Sequence, residues 1–585
     1  MEIYMKERIG NPELFTGRKK ELAYFLNRTD RIKQEISMST AILSRRKTGK
    51  TAFMQRLYNI IFHRNDIIVP FYFEIKETDQ WLADFSENFF LTYIYQYIAF
   101  KTRKKEYFDR LEIEGSLDDA SEIARNEGFD YLVRLVKGVR ELAEKEKSDL
   151  LWSRVRDAPR VIAGYTGERA VQIIDEFQFI NKFIFWDREK KRRAENLAGS
   201  YLHTAEYKNA PLLVSGSWVG WLSRDLLRML PGRFQFHYFE NMPEDEAVEM
   251  ILKYSLLENI PVSEETVPLI AGVAEGNPFY ISSLFRSKYP EKDLTTAEGL
   301  RKTLEFETLG GEGIVKGIWM EYAGYAMDEA NGRNAKKIVL YLCKNRDREV
   351  TRSELMKKLN LEMSDYDLEK KMEILVKSDI INQGRSNSHY RGVSDNIFDK
   401  VFRGVYEDEI EAFDPKEITD EYKILFEKLG REHRQVLGEY SSFKGKFAEF
   451  LIINHLRHRA YRNQDVFCKM MKNLPEDFRF AEYERIWSWS ASPEDKKSIQ
   501  VDIFARAEQD EYSLIGEVKN RKAKFSVKEA EEFMKKAGEL MKLEDVRKAV
   551  LFVFSVSGFF KNTVEYMKKN GIAWTDDRQW LDRTV

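Results

Sequence analysis

The sequence predicts a multidomain α/β protein, and three observations support this fold class. The chain has 585 residues, which is more than one core holds and suggests about four domains of roughly 150 residues each. Short apolar segments of strand length alternate with segments of helical periodicity, and polar residues follow directly on several of the strands. Hydrophobic residues make up 43% and aromatic residues 13% of the chain, a composition that excludes disorder as the dominant state.

Composition also limits the classes of partner and site. The chain carries 95 basic and 97 acidic residues, so any contact with nucleic acid must be a local basic patch. Only Cys343 and Cys468 are present, which excludes a disulfide framework or a zinc cluster and fits a reducing compartment. The amino terminus lacks the apolar run of a signal peptide, and the longest apolar stretch is too short to span a bilayer. We therefore expect a soluble, cytoplasmic protein that makes no membrane contact.

The first candidate site lies between a predicted strand, TAIL, and a predicted helix, TAFMQRLYNIIF. The intervening segment SRRKTGKT nearly matches the phosphate-binding pattern G-x-x-x-x-G-K-[ST], and the alternative is a basic turn before a surface helix. Backbone N–H groups and the helix dipole favour phosphate at such a position. Lys50 is expected to meet the β- and γ-phosphates and Thr51 to hold Mg²⁺. The residues predicted to bind the nucleotide here are Ser44, Arg45, Arg46, Lys47, Thr48, Gly49, Lys50 and Thr51.

Ser44 departs from that pattern, because it stands where the first glycine is expected. Glycine allows a tight turn and a close backbone approach to phosphate, whereas serine adds a Cβ and a hydroxyl. The serine is tolerated if the turn keeps φ negative. Since Gly49, Lys50 and Thr51 are all present, we expect nucleotide binding to survive, with slower hydrolysis.

Two later strands end in polar residues. The segment RAVQIIDEFQFI (169–180) is an apolar strand ending in Asp175 and Glu176, and the alternative is an ordinary strand that runs into an acidic turn. Asp175 is expected to reach the Mg²⁺ shell and Glu176 to polarise the attacking water. The strand APLLVSGSW (210–218) ends in Ser215, Gly216 and Ser217, and Ser217 is the candidate to contact the γ-phosphate or its water. The three strands, in this order, predict a doubly wound NTPase core.

The middle of the chain is predicted to be largely helical. Residues 78–160 form amphipathic helical patterns that indicate an insertion on the core, and the basic run at 187–195 is either a solvated helix face or a polyanion contact. Residues 335–404 predict a winged helix, with Leu368, Met372, Leu375 and Val376 on the core face of the recognition helix. That helix exposes four acids against three bases, which favours protein or intramolecular docking over DNA.

A second constellation lies in the last part of the chain. Asp502 lies on the predicted strand IQVDIFARA, and Glu517 and Lys519 share one face of the next strand, YSLIGEVKN. The spacing lets the second strand return alongside the first, and Glu449 lies on a helix upstream. Paired carboxylates with a lysine can hold Mg²⁺ and orient a water for phosphodiester attack. The alternative is a surface hairpin with a chance E-x-K.

Several motifs together resemble a known family. FTGRKKEL (15–22) looks like F-x-G-R-x-x-E-L, SRRKTGKT is similar to G-R-R-R-V-G-K-T, and GNP (276–278) matches a lid motif G-x-P. These are motifs of the archaeal-type ATPases in the STAND/AAA-like group of P-loop NTPases. The resemblance implies ATP and Mg²⁺ as cofactors. It also implies that Arg233, in PGRF, is a charge-stabilising arginine acting in cis or from a neighbouring subunit, which leaves a homo-oligomer open.

The C-terminal constellation resembles the PD-(D/E)xK nuclease superfamily, which has the restriction-endonuclease fold. Asp502 matches the aspartate of the motif and Glu517-Val518-Lys519 matches E-x-K, although Val501 replaces the usual proline. The resemblance implies Mg²⁺, with Mn²⁺ as an alternative, bound by Asp502 and Glu517 with Glu449 at the edge of the same shell. It also implies nucleic acid as the partner of this domain.

We therefore predict an α/β protein with four parts. They are a P-loop ATPase core with a helical insertion (1–241), a helical lid and connector (242–333), a winged helix (334–410) and a nuclease-like domain (411–585). The predicted function is an ATPase coupled to Mg²⁺-dependent cleavage of nucleic acid. One alternative is a regulatory or scaffolding ATPase whose nuclease-like domain only binds, and another is a winged-helix transcription regulator.

Overall fold

The computed structural model describes most of the chain. The described residues are 4–216, 230, 232–330, 333–386, 388–393, 395–406, 429, 441–483, 485–490, 499–508 and 511–581. The chain divides into two compact units. The first comprises residues 1–250, 270–293 and 298–423, and the second comprises residues 251–269, 294–297 and 424–585.

The first unit contains a five-stranded sheet in which every strand is parallel to its neighbours, in the order β2-β4-β6-β1-β7. Four of its strands are apolar and buried along most of their length, as expected for a parallel sheet covered on both faces, whereas the edge strand β7 is only partly buried. This confirms the predicted parallel α/β core. The strands are β1 (Ser39–Leu43), β2 (Ile68–Glu74), β3 (Gln80–Trp81), β4 (Arg169–Asp175), β5 (Ile184–Phe185), β6 (Leu212–Gly216) and β7 (Phe234–Tyr238), of which β3 and β5 form a separate parallel pair.

Helices pack around this sheet, and the segment predicted as an insertion is helical. Phe71 and Phe73 of β2 contact Phe89 with ring centroids 5.0 Å apart, and Phe89 in turn contacts Trp152. The insertion is therefore packed onto the core through an aromatic cluster. The helices are α1 (Lys19–Ile32), α2 (Lys50–Arg64), α3 (Leu82–Thr102), α4 (Lys105–Glu114), α5 (Leu117–Asn126), α6 (Asp130–Glu144), α7 (Ser148–Arg156) and α8 (Ala158–Thr166), with short 3₁₀ helices at Pro12–Leu14, Phe177–Asn181, Leu197–Leu202 and Thr204–Glu206.

Helices also follow the sheet in the chain, as the sequence predicts. Gly276 lies in a tight turn with φ +68, and a Cβ there would lie 2.0 Å from the Met242 carbonyl oxygen. Asn277 accepts a hydrogen bond from the Phe279 backbone N–H and so caps the next helix. The helices are α9 (Glu244–Leu257), α10 (Thr266–Val273), α11 (Pro278–Arg286), α12 (Ala297–Leu309) and α13 (Ile314–Glu329).

In the segment predicted as a winged helix, three short strands form an antiparallel sheet in the order β8-β10-β9. The four predicted core residues of its third helix are buried. Thr351 caps the second helix by accepting the Glu354 N–H, whereas the Glu354 carboxylate accepts from Tyr341 and Arg348. The elements are α14 (Arg333–Lys344), β8 (Val350–Thr351), α15 (Arg352–Leu359), α16 (Asp365–Lys377), β9 (Asn382–Gln383), β10 (His389–Arg391) and α17 (Asn396–Tyr406).

The second unit contains a mixed five-stranded sheet in the order β11-β12-β13-β14-β15, and buried apolar clusters cover both of its faces. The predicted antiparallel pair, β12 and β13, is at its centre, and β13, β14 and β15 are parallel. The elements are α18 (Ser441–His458), α19 (Gln464–Lys469), β11 (Arg485–Ser490), β12 (Gln500–Arg506), β13 (Ser513–Lys519), α20 (Val527–Leu543), β14 (Ala549–Ser555), α21 (Lys561–Lys569), β15 (Ala573–Thr575) and a 3₁₀ helix at Arg578–Leu581. Among the described residues, no helix is both long and apolar enough to cross a membrane.

Candidate functional site

The phosphate-binding pattern lies at the carboxyl end of β1, as the sequence predicts. The loop runs from Ser44 to Gly49, and α2 begins at Lys50. Gly49 caps the helix with φ 89, a left-handed conformation that a residue without Cβ adopts readily. The free N–H groups of the first helical turn therefore open onto the loop, which is the arrangement that attracts phosphate.

Lys50 is buried inside this loop. Its ammonium donates to the Ser44 carbonyl at 2.7 Å and to the Arg45 carbonyl at 2.9 Å. Burial lowers its pKa to about 8, although Glu176 and Asp175 act in the opposite direction. The ammonium is thus held at the centre of the loop.

Ser44 is accommodated in the way the sequence analysis requires, because its φ is negative. Its hydroxyl is hydrogen-bonded to the Thr48 hydroxyl and donates to the Arg45 carbonyl at 3.0 Å. Both Ser44 and Thr48 are buried. The added hydroxyl therefore forms hydrogen bonds within the loop and does not disrupt it.

Asp175, at the end of β4, is the most extensively bonded side chain of the site and is fully buried. Its Oδ2 accepts from the Thr51 hydroxyl at 2.7 Å and from the Tyr72 hydroxyl at 3.3 Å. Its Oδ1 accepts from the Ser215 hydroxyl and from the Glu176 backbone N–H. The structure thus brings together the two predicted magnesium ligands, Thr51 and Asp175.

The polar tip of β6 contributes through Ser215, since its hydroxyl contacts Asp175 directly. Ser217, the predicted γ-phosphate contact, lies outside the described residues. Glu176 follows Asp175 with φ 54, a left-handed conformation that costs a non-glycine residue about 1 kcal/mol or more. Its Oε2 accepts from the Gln178 amide. A carboxylate held in a strained turn next to the Asp175 site fits the role predicted for Glu176.

Glu74 is a third carboxylate at this edge, and sequence reasoning did not identify it. It ends β2 and is the register partner of Asp175 on the neighbouring strand. Arg8 approaches it at 2.6 Å. Burial raises the pKa of Glu74, Arg8 lowers it, and the charges of Asp175 and Glu176 raise it further. An apolar strand that ends in a glutamate is the signal that could have revealed it.

The three basic side chains of the loop have partners elsewhere in the first unit. Arg45 forms an ion pair with Asp395 at 3.0 Å, the Arg46 guanidinium lies 4.4 Å from the Tyr322 ring centroid, and the Lys47 ammonium lies 5.5 Å from that of Phe279. The structure therefore binds these side chains to later helices of the unit. Only their backbones form the phosphate loop.

Arg18 supports the loop from behind and was not identified from the sequence as a site residue. Its guanidinium donates to the Thr48 carbonyl at 2.9 Å and to the Glu240 carbonyl at 2.6 Å. Glu246 accepts the Arg18 backbone N–H at 2.6 Å. Gly17 makes this possible, because a Cβ there would lie 2.4 Å from the Glu246 carboxylate. The motif FTGRKKEL thus contributes a structural support for the loop.

Arg233 lies at the amino-terminal end of the parallel strands, opposite the carboxyl end that carries the phosphate loop. It immediately precedes β7, whose first residue, Phe234, is the register partner of Ser39 at the start of β1. Five strand residues, about 13 Å, separate this end from the loop, and Arg233 is paired with Glu206 at 2.7 Å. Its position does not support the predicted role in cis, so only the version in which a neighbouring subunit supplies it stays a prediction.

The C-terminal constellation comes together in the second unit. The register of Ile503 with Gly516 sets Asp502 beside Glu517 on adjacent strands. The Lys519 ammonium lies 2.6 Å from a Glu517 oxygen and 3.7 Å from an Asp502 oxygen. Lys536, from α20, approaches the same Glu517 oxygen at 3.8 Å and was not identified from the sequence. The three residues predicted from the E-x-K spacing therefore form one cluster.

The charges in this cluster are incompletely balanced. Burial raises the pKa of Glu449 to about 8, and the charge of Asp502 adds to the effect. Burial likewise raises the pKa of Asp502 to about 6, with Glu517 contributing. The second oxygen of Glu517 is buried and has no hydrogen-bond partner. Such an orphaned oxygen indicates room for a proton or a cation.

A hard cation prefers oxygen ligands, so Asp502 and Glu517 fit magnesium or manganese. Within the described part of the chain, however, no group of three or more histidine, cysteine, aspartate or glutamate side chains could hold a metal ion. The described side chains thus do not place Glu449 in such a group with Asp502 and Glu517, and their shared shell stays a prediction.

No protein-family model and no curated protein matches the chain. Among solved structures, a Walker-type ATPase of Pyrococcus abyssi shares 14% identity at a TM-score of 0.45, covering 69% of this chain and 100% of that one. The Aeropyrum pernix ORC2 protein shares 12% identity at a TM-score of 0.36, covering 68% and 95%. The Thermotoga maritima RuvB branch migration motor shares 12% identity at a TM-score of 0.30, covering 71% and 99%.

Proposed function

We propose that the first unit binds ATP with Mg²⁺ and hydrolyses it. The observation that carries the proposal is the Thr51–Asp175 hydrogen bond of 2.7 Å beside the buried Lys50. It joins the start of the loop helix to the end of β4, which is separated from β1 by β6 in the parallel sheet, and a magnesium–nucleotide complex is held at such a position in P-loop enzymes. Bound Mg²⁺ would neutralise charge on the phosphate oxygens.

The residues of the chain have distinct roles in this proposal. Lys50 binds the β- and γ-phosphates, and Thr51 and Asp175 hold the metal. Glu176 orients the attacking water and accepts its proton. Tyr72 and Ser215 fix the Asp175 carboxylate through their hydroxyls. Arg45, Arg46 and Lys47 act through the loop backbone, since their side chains are bound elsewhere.

Calorimetry tests the nucleotide site. We expect wild-type protein to bind ATP in the presence of Mg²⁺ and Lys50→Ala to lose this affinity, because the charge that meets the phosphates is gone. Lys105→Ala, which removes an exposed lysine paired with Asp109 in the helical insertion, is the control and should bind normally. A wild-type protein without ATP affinity would mean that Ser44 marks a decayed site.

For the second unit we propose Mg²⁺-dependent cleavage of nucleic acid, with Mn²⁺ as an alternative cofactor. The proposal is supported by the convergence of Asp502, Glu517 and Lys519 and by the orphaned Glu517 oxygen. Asp502 and Glu517 would hold the ion, which would activate a water and bind the phosphate. Lys519 would orient that water and offset charge that develops on the phosphate.

The alternative is a regulatory or scaffolding ATPase whose second unit binds without cleaving. Incubation with single- and double-stranded DNA and RNA, with and without ATP and with Mg²⁺ or Mn²⁺, separates the two. Cleavage that is lost in Glu517→Ala and retained in the exposed control Glu531→Ala supports the nuclease. Binding without cleavage under every condition supports the alternative.

A further inference from the structure

Arg8 lies at the carboxylate edge of the proposed ATP site, although it is far from the other site residues in sequence. Its guanidinium is 2.6 Å from the Glu74 carboxylate. Glu74 ends β2 and is the register partner of Asp175, so the two residues lie side by side on adjacent parallel strands. Arg8 therefore contacts the residue that lies directly beside Asp175, a predicted magnesium ligand.

The side chains concerned lie on one face of the sheet. Tyr72 and Glu74 are two residues apart on a strand, so their side chains point to the same face. The Tyr72 hydroxyl donates to Asp175 Oδ2, the oxygen that also accepts from Thr51. Arg8 consequently approaches the face on which the metal and the phosphates would be held.

The backbone at Arg8 is anchored independently of its side chain. The Arg8 N–H donates to Gln55 at 2.8 Å, and Gln55 lies four residues after Thr51, about one turn along α2. The neighbouring Glu7 is bound by two Arg56 nitrogens, each at 2.7 Å. The Arg8 side chain is nevertheless 61% exposed. It can change partners without detaching the segment that carries it.

The negative charges at this edge hold a guanidinium beside the site before any nucleotide binds. Glu74, Asp175 and Glu176 place three carboxylates at neighbouring positions, and Lys50 is held within the loop. A guanidinium forms strong paired hydrogen bonds with carboxylate or phosphate oxygens. An exposed arginine paired with a carboxylate of this cluster is thus a preformed donor for a phosphate that binds beside it.

We propose that Arg8 is a catalytic residue of the ATPase: it exchanges Glu74 for the γ-phosphate when a nucleoside triphosphate binds. The inference rests on the proposed ATPase function. In the reaction, the water oxygen bonds to the γ-phosphorus, the bond to the β-phosphate oxygen breaks, and Glu176 takes the proton. Arg8 donates hydrogen bonds only, to the equatorial oxygens of the transferred phosphoryl group, over which the charge of the transition state is spread.

Four variants test Arg8. Arg140→Ala is the control, because Arg140 is also paired with a carboxylate, Asp118, but in the helical insertion. Arg8→Ala should lower kcat and the affinity for a non-hydrolysable ATP analogue by about tenfold or more, and leave ADP affinity within about twofold. Arg8→Lys should restore part of the loss, because it returns the charge without the paired donors. Glu74→Gln should raise analogue affinity, and the added Arg8→Ala substitution should remove that gain.

The outcomes separate this inference from the function on which it rests. If wild type and Arg140→Ala hydrolyse ATP, Lys50→Ala does not, and a folded Arg8→Ala matches wild type in kcat and analogue affinity, only the role of Arg8 is refuted. If Arg8→Ala weakens ADP and the analogue equally, Arg8 does not meet the γ-phosphate. If wild type binds no ATP, both proposals fall.

Discussion

Replacing Lys50 by methionine should abolish ATP binding without destabilising the nucleotide-free protein. The lysine is buried, and its pKa falls from its ordinary value of 10.5 to about 8. That shift corresponds to about 3 kcal/mol spent on holding a charged ammonium in the loop. Methionine is similar in length, fills the same space and carries no charge.

The loss of two hydrogen bonds opposes this gain. Without the ammonium, the Ser44 carbonyl loses its donor at 2.7 Å, which costs about 1–3 kcal/mol. The Arg45 carbonyl loses a donor at 2.9 Å but still accepts from the Ser44 and Thr48 hydroxyls. The balance predicts a nucleotide-free variant that equals wild type or exceeds it by up to about 2 kcal/mol. Wild type, by contrast, should gain about 2.7 kcal/mol when ATP is present at a hundred times its Kd.

The sign of the pH dependence provides a further check. Below pH 8 Lys50 is protonated in both the folded and the unfolded protein, so the full free-energy cost of burying the charged ammonium lowers the stability of the folded state. The cost disappears as pH rises from about 8 to the ordinary value of 10.5, because the unfolded chain then binds more protons than the folded one. Any stability advantage of Lys50→Met should therefore shrink over this pH range.

Thermal unfolding with and without ATP and Mg²⁺, repeated at several pH values, measures the stability of the nucleotide-free variant, the stabilisation by ATP and the dependence of stability on pH. The transition that ATP shifts in wild type should stay in place in Lys50→Met when the nucleotide is added. A nucleotide-free variant that is less stable by more than about 2 kcal/mol would show that Lys50 acts mainly as a structural pin, contrary to this reasoning. A variant that keeps its ATP response would refute the site itself.

The remaining predictions concern the base, the C-terminal cluster and a turn. Glu176→Gln should keep ATP affinity in calorimetry and lose most phosphate release, because the amide cannot accept a proton from water; unchanged turnover would exclude Glu176 as the base. Lys519→Ala should leave nucleic-acid binding nearly intact in a gel-shift assay while cleavage falls strongly, whereas Asp502→Ala should also weaken Mn²⁺ binding in calorimetry; equal effects of the two variants would contradict their separate roles. Gly276→Ala should lower the unfolding midpoint well beyond Gly128→Ala. Both positions have a positive φ, which costs alanine about 1 kcal/mol, but only at Gly276 would the Cβ meet a backbone oxygen; equal midpoints would show that the Gly276 turn can relax.

The parts of the fold that depend on local pattern were predictable. Strand, loop and helix around Gly49 follow from neighbouring residues, because the pattern and the periodicity are contiguous in the chain. Asp502 and Glu517 could also be paired from sequence, since few residues separate their antiparallel strands in the chain. Sequence reasoning succeeded where the chain folds back on itself over a short distance.

The missed residues depend on contacts between distant segments. Glu74 neighbours Asp175 only because β2 lies next to β4 in the sheet, an order that neither strand encodes by itself. Arg8 reaches this edge through a hydrogen bond to Gln55, 47 residues away. Arg45 pairs with Asp395, 350 residues away. No periodicity or motif links such pairs, so a single sequence cannot predict them.

The substituted glycine shows how such contacts change the interpretation of a motif. From the pattern alone, Ser44 weakens the loop, because it adds atoms where phosphate must approach. In the structure its hydroxyl instead bonds to Thr48, whose carbonyl accepts from the buried Arg18. Ser44 therefore belongs to a chain of hydrogen bonds that begins at Arg18, just before α1, and passes through Thr48 to the Arg45 carbonyl. The same carbonyl also accepts from Lys50. Rigidity supplied by these side chains replaces the tight turn that glycine would provide, and this is why a departure from the pattern is compatible with an intact phosphate site.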